Sequence, residues 1–377
     1  MPMTPVGSEP TASNRQAHMQ HEKYPPLVHP DGRVTFRVQA SLAQKVQIEP
    51  LNGKPENNGY NGLGKAPYDM TKDENGIWSV TTPPAVPGLH GYWLVVDGVR
   101  VNDTATNSYG GKMKCCGVEV PEPGGDFYDV KDVPHGEVRM RWYFSKVTGL
   151  WRRAYVYVPP DYDSNPGQRY PVFILRHGGG EDETGWVEQG RANFILDNLI
   201  AEGKAKPMIV VMDWGQAPTP DQPVHIPDTP PPPEITEVTI NELIPMVDAT
   251  FRTIPDREHR AMAGLSMGSV QTLYIGLNNL DTFSYLGIFS RRPMSAEEFK
   301  NFRGVFADAD AFNQKVKLFW WGAGTAEEGI YNATKANLAE LAEAGIKSVF
   351  VEFPGTSHEW QTWRKSLYDF APRLFQD

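Results

Sequence analysis

The stretch Gly264-Leu265-Ser266-Met267-Gly268 decides the fold of this chain. Residues 259–263 before it are short and apolar enough to form a buried strand, and residues 269–277 after it have the spacing of a helix. A strand, a sharp turn and a helix in that order hold a serine on a strained bend, and flanking glycines let the two elements approach. The pattern predicts that the Ser266 hydroxyl projects from a sheet as a nucleophile.

A serine nucleophile requires a base that takes its proton and an acid that orients the base. In hydrolases with this turn, the order along the chain is serine, acid, histidine. The sequence contains nine histidines, and only His358 follows Ser266. It lies in a loop of small residues after the apolar segment 349–353, where it can reach the serine of a neighbouring strand. We therefore predict His358 as the base; the alternative is a histidine that caps the next helix.

The acid is predicted in the loop that follows the apolar segment 316–321. Either Glu327 or Glu328 could accept the second N–H of the imidazole and so fix its tautomer. Only one of them can face inward from so tight a loop, and the sequence leaves the choice open. Asp308 and Asp310 also lie between the serine and the histidine, but their alternation with alanine indicates surface positions.

A glycine-rich loop is the predicted oxyanion hole. The strand at residues 170–176 ends in His177-Gly178-Gly179-Gly180. Three glycines allow the backbone to point an N–H at the oxygen of a tetrahedral intermediate. We assign the Gly179 N–H as one donor and the Met267 N–H as the second.

Three side chains near these loops are candidate substrate contacts. Trp186 follows the glycine loop and Trp360 follows the predicted base, so each could pack against a flat acyl group of the substrate. Asp213 follows the predicted strand at residues 208–212 and could contact substrate or anchor a loop. Both tryptophans could equally be core residues.

The chain divides into regions of different character. Residues 1–24 lack periodicity and predict a disordered tail, and residues 25–120 show short strands and turns typical of a small antiparallel β-sandwich. Proline, glycine and aspartate indicate a linker at 121–135. From 136 to 377 strands alternate with helices, which predicts an α/β fold with a mostly parallel sheet covered on both faces.

Composition excludes several classes of protein. A net charge of −10 argues against nucleic acid or an anionic membrane surface as a partner, and no apolar run is long enough to cross a bilayer. The adjacent Cys115 and Cys116 are expected to be free thiols. The N-terminus lacks the apolar core of a signal peptide, yet we expect a secreted or periplasmic enzyme whose signal is absent from this sequence.

These linked motifs resemble the esterase D group of α/β-hydrolases, and within it carbohydrate esterase family 1, the feruloyl and acetylxylan esterases. The similarity covers residues 134–377 and implies Ser266 as nucleophile, His358 as base and the loop glutamate as acid, where the family usually has aspartate. The N-terminal region resembles carbohydrate-binding module family 48, and Trp78, Tyr92 or Trp93 could hold a glycan there; the alternative is that both tryptophans are core residues. The resemblance to the esterases is carried by the segments 134–145, 152–160, 177–180, 264–268 and 357–360. The resemblance to the binding module is carried by the segment 97–103.

The resemblance implies a serine esterase that releases hydroxycinnamates such as ferulate from feruloylated arabinoxylan or xylo-oligosaccharide. Acyl transfer of this kind requires no cofactor and no metal ion. Acetylxylan esterase is the nearest alternative. A siderophore esterase and a non-catalytic glycan-binding protein are the others. The sequence leaves the oligomeric state open.

Overall fold

The computed structural model describes residues 24–51, 62–64, 67–109, 114–219, 231–292, 298 and 302–376. The predicted disordered tail lies outside them except for Tyr24. The chain divides near Asp126 into two compact units.

The first unit consists of two antiparallel sheets. Within the described residues its strands are β1 (Leu27–Val28), β2 (Val34–Gln39), β3 (Val46–Pro50), β4 (Tyr68–Asp69), β5 (Thr71–Lys72), β6 (Ile77–Thr81), β7 (Gly88–Val96), β8 (Val99–Val101), β9 (Ser108–Tyr109) and β10 (Cys115–Val120). One sheet has the order β1-β2-β6-β5. The other has the order β4-β3-β7-β10-β9, with β8 paired to β7. This arrangement confirms the predicted β-sandwich.

Alternate residues of both sheets form one shared core. Phe36 of β2 packs edge-on against Tyr92 of β7 with ring centroids 4.8 Å apart. Trp78 is also buried, and its indole N–H donates to the Ala40 carbonyl. Trp78 and Tyr92 are therefore core residues, which excludes them as glycan contacts. The two cysteines are free and buried, as expected.

The second unit is built on a mostly parallel sheet. In the described part of the chain its strands are β11 (Glu137–Ser145), β12 (Leu150–Val158), β13 (Val172–Arg176), β14 (Ile209–Asp213), β15 (Arg260–Leu265), β16 (Tyr285–Phe289), β17 (Leu318–Gly324) and β18 (Val349–Phe353). Their order is β11-β12-β14-β13-β15-β16-β17-β18, and β11 and β12 form an antiparallel hairpin at one edge. The strands β13, β14, β15 and β16 are buried along their whole length, as expected for a parallel sheet covered on both faces.

Helices connect the parallel strands. Those described are α1 (Gly185–Glu188), α2 (Ala192–Ala201), α3 (Pro233–Glu237), α4 (Ile244–Thr250), α5 (Met267–Asn278), α6 (Arg303–Phe306), α7 (Ala309–Lys315), α8 (Glu328–Glu343) and α9 (Trp360–Phe370). A π-helical segment, Val238–Leu243, joins α3 to α4, and single 3₁₀ turns occupy Asp126–Tyr128, Arg257–His259 and Ala371–Arg373. No helix in the described ranges is long and apolar enough to cross a membrane.

The segment predicted as a linker is partly built into the second unit. The Asn198 side chain on α2 donates to the carbonyls of Phe127 and Asp129. Next to it, the Asp197 carboxylate contacts His135 and accepts from the Gly136 N–H. The segment after residue 126 is therefore held against α2 by hydrogen bonds.

Candidate active site

Ser266 lies on the turn between β15 and α5. Its backbone has φ +50° and ψ −113°, a conformation that is costly for a residue with a side chain. A Cβ on Gly264 would lie 2.5 Å from the Gly268 carbonyl carbon, and one on Gly268 would lie 2.6 Å from the His177 oxygen. Only glycine fits at either position. The Ser266 N–H donates to the Phe289 carbonyl of β16, which fixes the turn against the neighbouring strand.

Three side chains that are far apart in the sequence lie close together beside this turn. His358 Nε2 lies 2.9 Å from the Ser266 hydroxyl oxygen, and His358 Nδ1 lies 2.6 Å from Glu327 Oε2. Glu327 is buried, whereas Ser266 and His358 are partly exposed. This arrangement lets a proton leave the hydroxyl for an imidazole that a buried carboxylate orients.

The other acid candidates lie elsewhere. Glu328 is the first residue of α8 and its side chain is exposed. Asp308 and Asp310 are also exposed, and the Asp308 side chain caps α7 by accepting the Ala311 N–H. Of the four carboxylates considered, the structure brings Glu327 to His358.

Ser290 was assigned no role from the sequence, yet its side chain holds the Glu327 carboxylate. The Ser290 hydroxyl lies 2.7 Å from Glu327 Oε1, and the Gly324 N–H donates to the same oxygen at 2.8 Å. Ser290 is fully buried and has φ +50°, a strained conformation that is typical of functional sites. With the bond to His358, the Glu327 carboxylate has three protein partners, so its orientation is fixed. The available signal was the position of Ser290 directly after β16, at the carboxyl end of a parallel strand.

The glycine loop passes directly beside the serine. A Cβ on Gly178 would lie 3.6 Å from the Ser266 Cβ. The Gly178 N–H is already engaged, since it donates to Glu181 Oε2 at 3.1 Å. Gly179 follows on an exposed turn, and Met267 is the first residue of α5, where an N–H has no carbonyl within the helix to bond. The placement of these two backbones suits the predicted donors.

A buried histidine fixes the base of this loop. His177 Nε2 accepts the Gly215 N–H at 2.8 Å, so the ring proton lies on Nδ1, which donates to the Gly178 carbonyl at 2.8 Å. Burial lowers the pKa of His177 and favours this neutral form. The imidazole thus joins the glycine loop to the segment that follows β14.

Trp186 and Trp360 belong to the core, which corrects the prediction that they contact substrate. Trp186 is 1% exposed, and its indole N–H donates to the Arg176 carbonyl. Trp360 is 5% exposed and packs edge-on against Trp186 and Trp363 at centroid distances of 5.3 and 5.2 Å. Both rings are enclosed by protein, and the spacing along the sequence could not reveal this packing.

Asp213 is also misassigned as a substrate contact. It is fully buried, and its Oδ1 lies 2.8 Å from Arg176 Nη1. Arg152 Nη2 is 3.7 Å from the other carboxylate oxygen, and Arg152 donates to the carbonyls of Trp214 and Gln216. The Asp213 carboxylate therefore neutralises the buried Arg176 and Arg152, and Arg152 holds the segment after β14. Asp213 thus has the loop-anchoring role, the second of the two roles that the sequence allowed.

The sheet, the serine turn and the flanking glycine loop define an α/β-hydrolase. The family described as "Putative esterase" matches residues 145–374. This match covers most of the second unit and more than half of the chain. The chain belongs to this esterase family.

Two curated relatives are similar to this chain in sequence. The endo-1,4-beta-xylanase/feruloyl esterase of Xylanibacter ruminicola is 38% identical over 359 residues, which cover 93% of this chain and 46% of that relative. The chain therefore spans less than half of that protein. It is 27% identical to endo-1,4-beta-xylanase Y of Acetivibrio thermocellus, of which it spans 22%.

Two solved structures bear on the fold. A CE1 ferulic acid esterase of Anaeromyces mucronatus, in complex with ferulic acid, has a TM-score of 0.57 and 27% identity. The alignment covers 66% of this chain and 95% of that chain. The enterobactin esterase of Shigella flexneri has a TM-score of 0.63 at 16% identity, covering 91% and 93% of the two chains, and shows the fold alone. The predicted α/β-hydrolase fold is confirmed.

Replacing Asp213 should destabilise the protein. In the variant Asp213→Asn, the buried Arg176 loses its counter-charge, and breaking such a pair costs about 3 to 5 kcal/mol. The measurement is the free energy of unfolding by denaturant. Asp281→Asn is the matched control, because that side chain is 90% exposed and its pair with Lys315 is a surface pair, worth about 1 kcal/mol or less. Equal losses in the two variants would contradict a structural role for Asp213.

Glu181 should make stability depend on pH. Burial raises the pKa of this carboxyl from 4.5 to about 7, so the folded protein holds a proton that the unfolded chain releases. Its contribution to stability is complete below about pH 4.5 and is lost as pH rises through about 7. We expect Glu181→Gln to gain stability relative to the parent over that window, in unfolding curves measured at a series of pH values. A difference that stays constant with pH would contradict this account.

Proposed function

We propose that this esterase hydrolyses hydroxycinnamoyl esters, such as feruloyl esters, on plant arabinoxylan through an acyl-enzyme formed on Ser266. The observation that carries the proposal is the continuous hydrogen-bond chain from the Ser266 hydroxyl through His358 to Glu327, with distances of 2.9 and 2.6 Å. These three side chains lie beside a glycine loop and the first turn of a helix. The side chains supply a nucleophile, a base and an orienting acid, and the loop and the helix turn supply backbone donors for acyl transfer.

Acylation uses the hydroxyl and the imidazole. The Ser266 oxygen attacks the ester carbonyl carbon while His358 Nε2 accepts the hydroxyl proton. The negative oxygen of the tetrahedral intermediate accepts the Gly179 and Met267 N–H groups. As the bond to the sugar oxygen breaks, the imidazolium returns the proton to that oxygen and the sugar leaves as an alcohol.

Deacylation repeats these steps with water. His358 removes a proton from a water molecule, whose oxygen attacks the acyl carbon, and the proton then returns to the Ser266 oxygen as ferulate leaves. Glu327 keeps the His358 proton on Nδ1 and stabilises the imidazolium in both half-reactions. Each step transfers only protons and an acyl group, so the proposal requires no cofactor.

The substrate class rests on similarity. A relative that is 38% identical is named a xylanase/feruloyl esterase, and the ferulic acid esterase at 27% identity was solved with ferulic acid bound. Arabinoxylan is a cell-wall polymer, so the proposed substrate implies that the enzyme acts outside the cell that makes it. The resemblance of the first unit to a carbohydrate-binding module stays a prediction. Trp93 is the partly exposed indole there, and the Arg100 guanidinium covers its ring at 4.0 Å.

The proposed reaction is tested with purified protein. We expect hydrolysis of methyl ferulate, and release of ferulate from feruloylated arabinoxylan, measured by chromatography. Acetate release from acetylated xylan is the comparison. Ser266→Ala should reduce turnover by roughly 10⁶-fold because it removes the nucleophile. Activity on acetate alone would exclude the feruloyl assignment, and full activity of Ser266→Ala would exclude the acyl-enzyme.

The acid is tested with paired variants. Glu327→Gln should lower kcat by roughly 10⁴-fold, because the neutral amide no longer stabilises the imidazolium. Glu328→Gln is the matched control and should retain activity, since Glu328 is exposed. Ser290→Ala should fall between them, because it removes one of the three hydrogen bonds on the carboxylate. Equal, small losses in Glu327→Gln and Glu328→Gln would indicate an acid elsewhere.

A further inference from the structure

The hairpin of β11 and β12 exposes a concentrated apolar surface. Trp142, Phe144 and Trp151 are 55%, 50% and 66% exposed, and Met140 is 51% exposed. Among the described residues, the tryptophan and phenylalanine side chains with such exposure all lie on this hairpin. Single exposed apolar residues are ordinary, but a contiguous patch of aromatic residues indicates a binding surface.

Strand register places these side chains on one face. Trp142 lies opposite Arg153 and Phe144 lies opposite Trp151. Residues directly opposite each other in an antiparallel pair share a face of the sheet. Met140 and Tyr155 form the next such pair, and we call these six residues the aromatic face. The opposite face of the hairpin contributes side chains to the hydrophobic core.

The aromatic face combines rings with a cation. The Arg153 guanidinium lies 5.7 Å from the Trp142 ring centroid and 5.4 Å from that of Tyr155. Phe144 and Trp151 meet edge-on with centroids 5.7 Å apart. On each strand, alternate side chains stand about 7 Å apart, so the rings form a row along the hairpin. Such a row offers flat apolar surfaces and N–H donors side by side.

The aromatic face lies at the catalytic edge of the sheet. Since β12 runs antiparallel to β14 and Ala154 pairs with Asp213, the last residue of β14, residues 150–153 reach past the carboxyl ends of the parallel strands. Ser266 stands at that same edge. The Arg153 side chain also pairs with Glu183, shortly after the glycine loop. Three strand spacings separate β12 from β15, or about 15 Å.

We infer that the aromatic face binds the polysaccharide chain that carries the ester, an inference that rests on the proposed function. Flat rings can stack on the apolar faces of sugars, and a guanidinium donates to sugar hydroxyls without requiring a charged partner. The position suits a long substrate, because a chain esterified at Ser266 must continue across the surface beside the site. A stable dimer interface takes about 20 to 30 residues from each copy, far more than these six.

The hairpin should distinguish a polymeric ester from a small one. Methyl ferulate ends at the ester, whereas arabinoxylan continues beyond it and can reach the aromatic face. Losing the rings should therefore weaken turnover of the polymer more than turnover of the small ester. In the double variant Trp142→Ala, Trp151→Ala, the ratio of kcat/KM on feruloylated arabinoxylan to kcat/KM on methyl ferulate should fall roughly tenfold.

A binding measurement separates this inference from the reaction. In a Ser266→Ala background, calorimetric titration with unsubstituted xylo-oligosaccharide should show binding that the two tryptophan replacements abolish. Val130→Ala is the control, because it removes an apolar side chain that is 54% exposed but lies outside the hairpin. Far-ultraviolet circular dichroism and an unchanged unfolding midpoint would confirm that the variants fold, as expected for exposed positions.

Each outcome has a distinct meaning. An unchanged substrate ratio and unchanged oligosaccharide binding, with methyl ferulate still hydrolysed by the parent, would overturn the inference and leave the proposed function intact. A parent without activity on any feruloyl ester would overturn the proposed function, and oligosaccharide binding would still test the hairpin. A parent dimer that the tryptophan replacements dissociate in sedimentation would show that a second copy covers the face, which would overturn the inference.

Discussion

Parallel pairing of β15, β16, β17 and β18 is the constraint on which the site depends. These strands are neighbours in the sheet, and each is followed at its carboxyl end by one member of the polar cluster: Ser266, Ser290, Glu327 and His358 respectively. The register aligns those ends, since Leu265 pairs with Phe289 and Phe289 pairs with Gly322. Residues separated by up to 92 positions in sequence therefore meet without any long excursion of the backbone.

Close backbone packing makes this edge rigid. The contact between Gly264 and Gly268 leaves no room for a Cβ, and the strained Ser266 conformation persists because β16 accepts its N–H. Behind the edge, the buried charges of Arg176, Asp213 and Arg152 compensate one another and hold the segment after β14. The proposed chemistry thus relies on groups that never meet substrate, and their function is to keep the reacting atoms in place.

The sequence predicted the parts that depend on local pattern. The spacing of Ser266 and its flanking glycines predicts a turn. His358 was predicted as the base because it is the histidine that follows Ser266 in the sequence. The role of Ser290 was not predicted, because it arises only when Glu327, 37 residues later, folds against it. Trp186 and Asp213 were misassigned because burial is decided by the elements that pack over them. The strand β11 gave no clear signal, since its exposed aromatic residues break the alternation expected of an edge strand.

The buried ring of His177 has a mechanical consequence. One ring nitrogen donates to the Gly178 carbonyl and the other accepts the Gly215 N–H, so a single imidazole ring connects the glycine loop to the segment after β14. Movement of either segment alone would break one of these hydrogen bonds, so the ring favours movement of the two segments together. Protonation of this imidazole would place a proton on Nε2 and abolish its bond to the Gly215 N–H, whereas Nδ1 would keep its bond to the Gly178 carbonyl, so acid would uncouple the two segments.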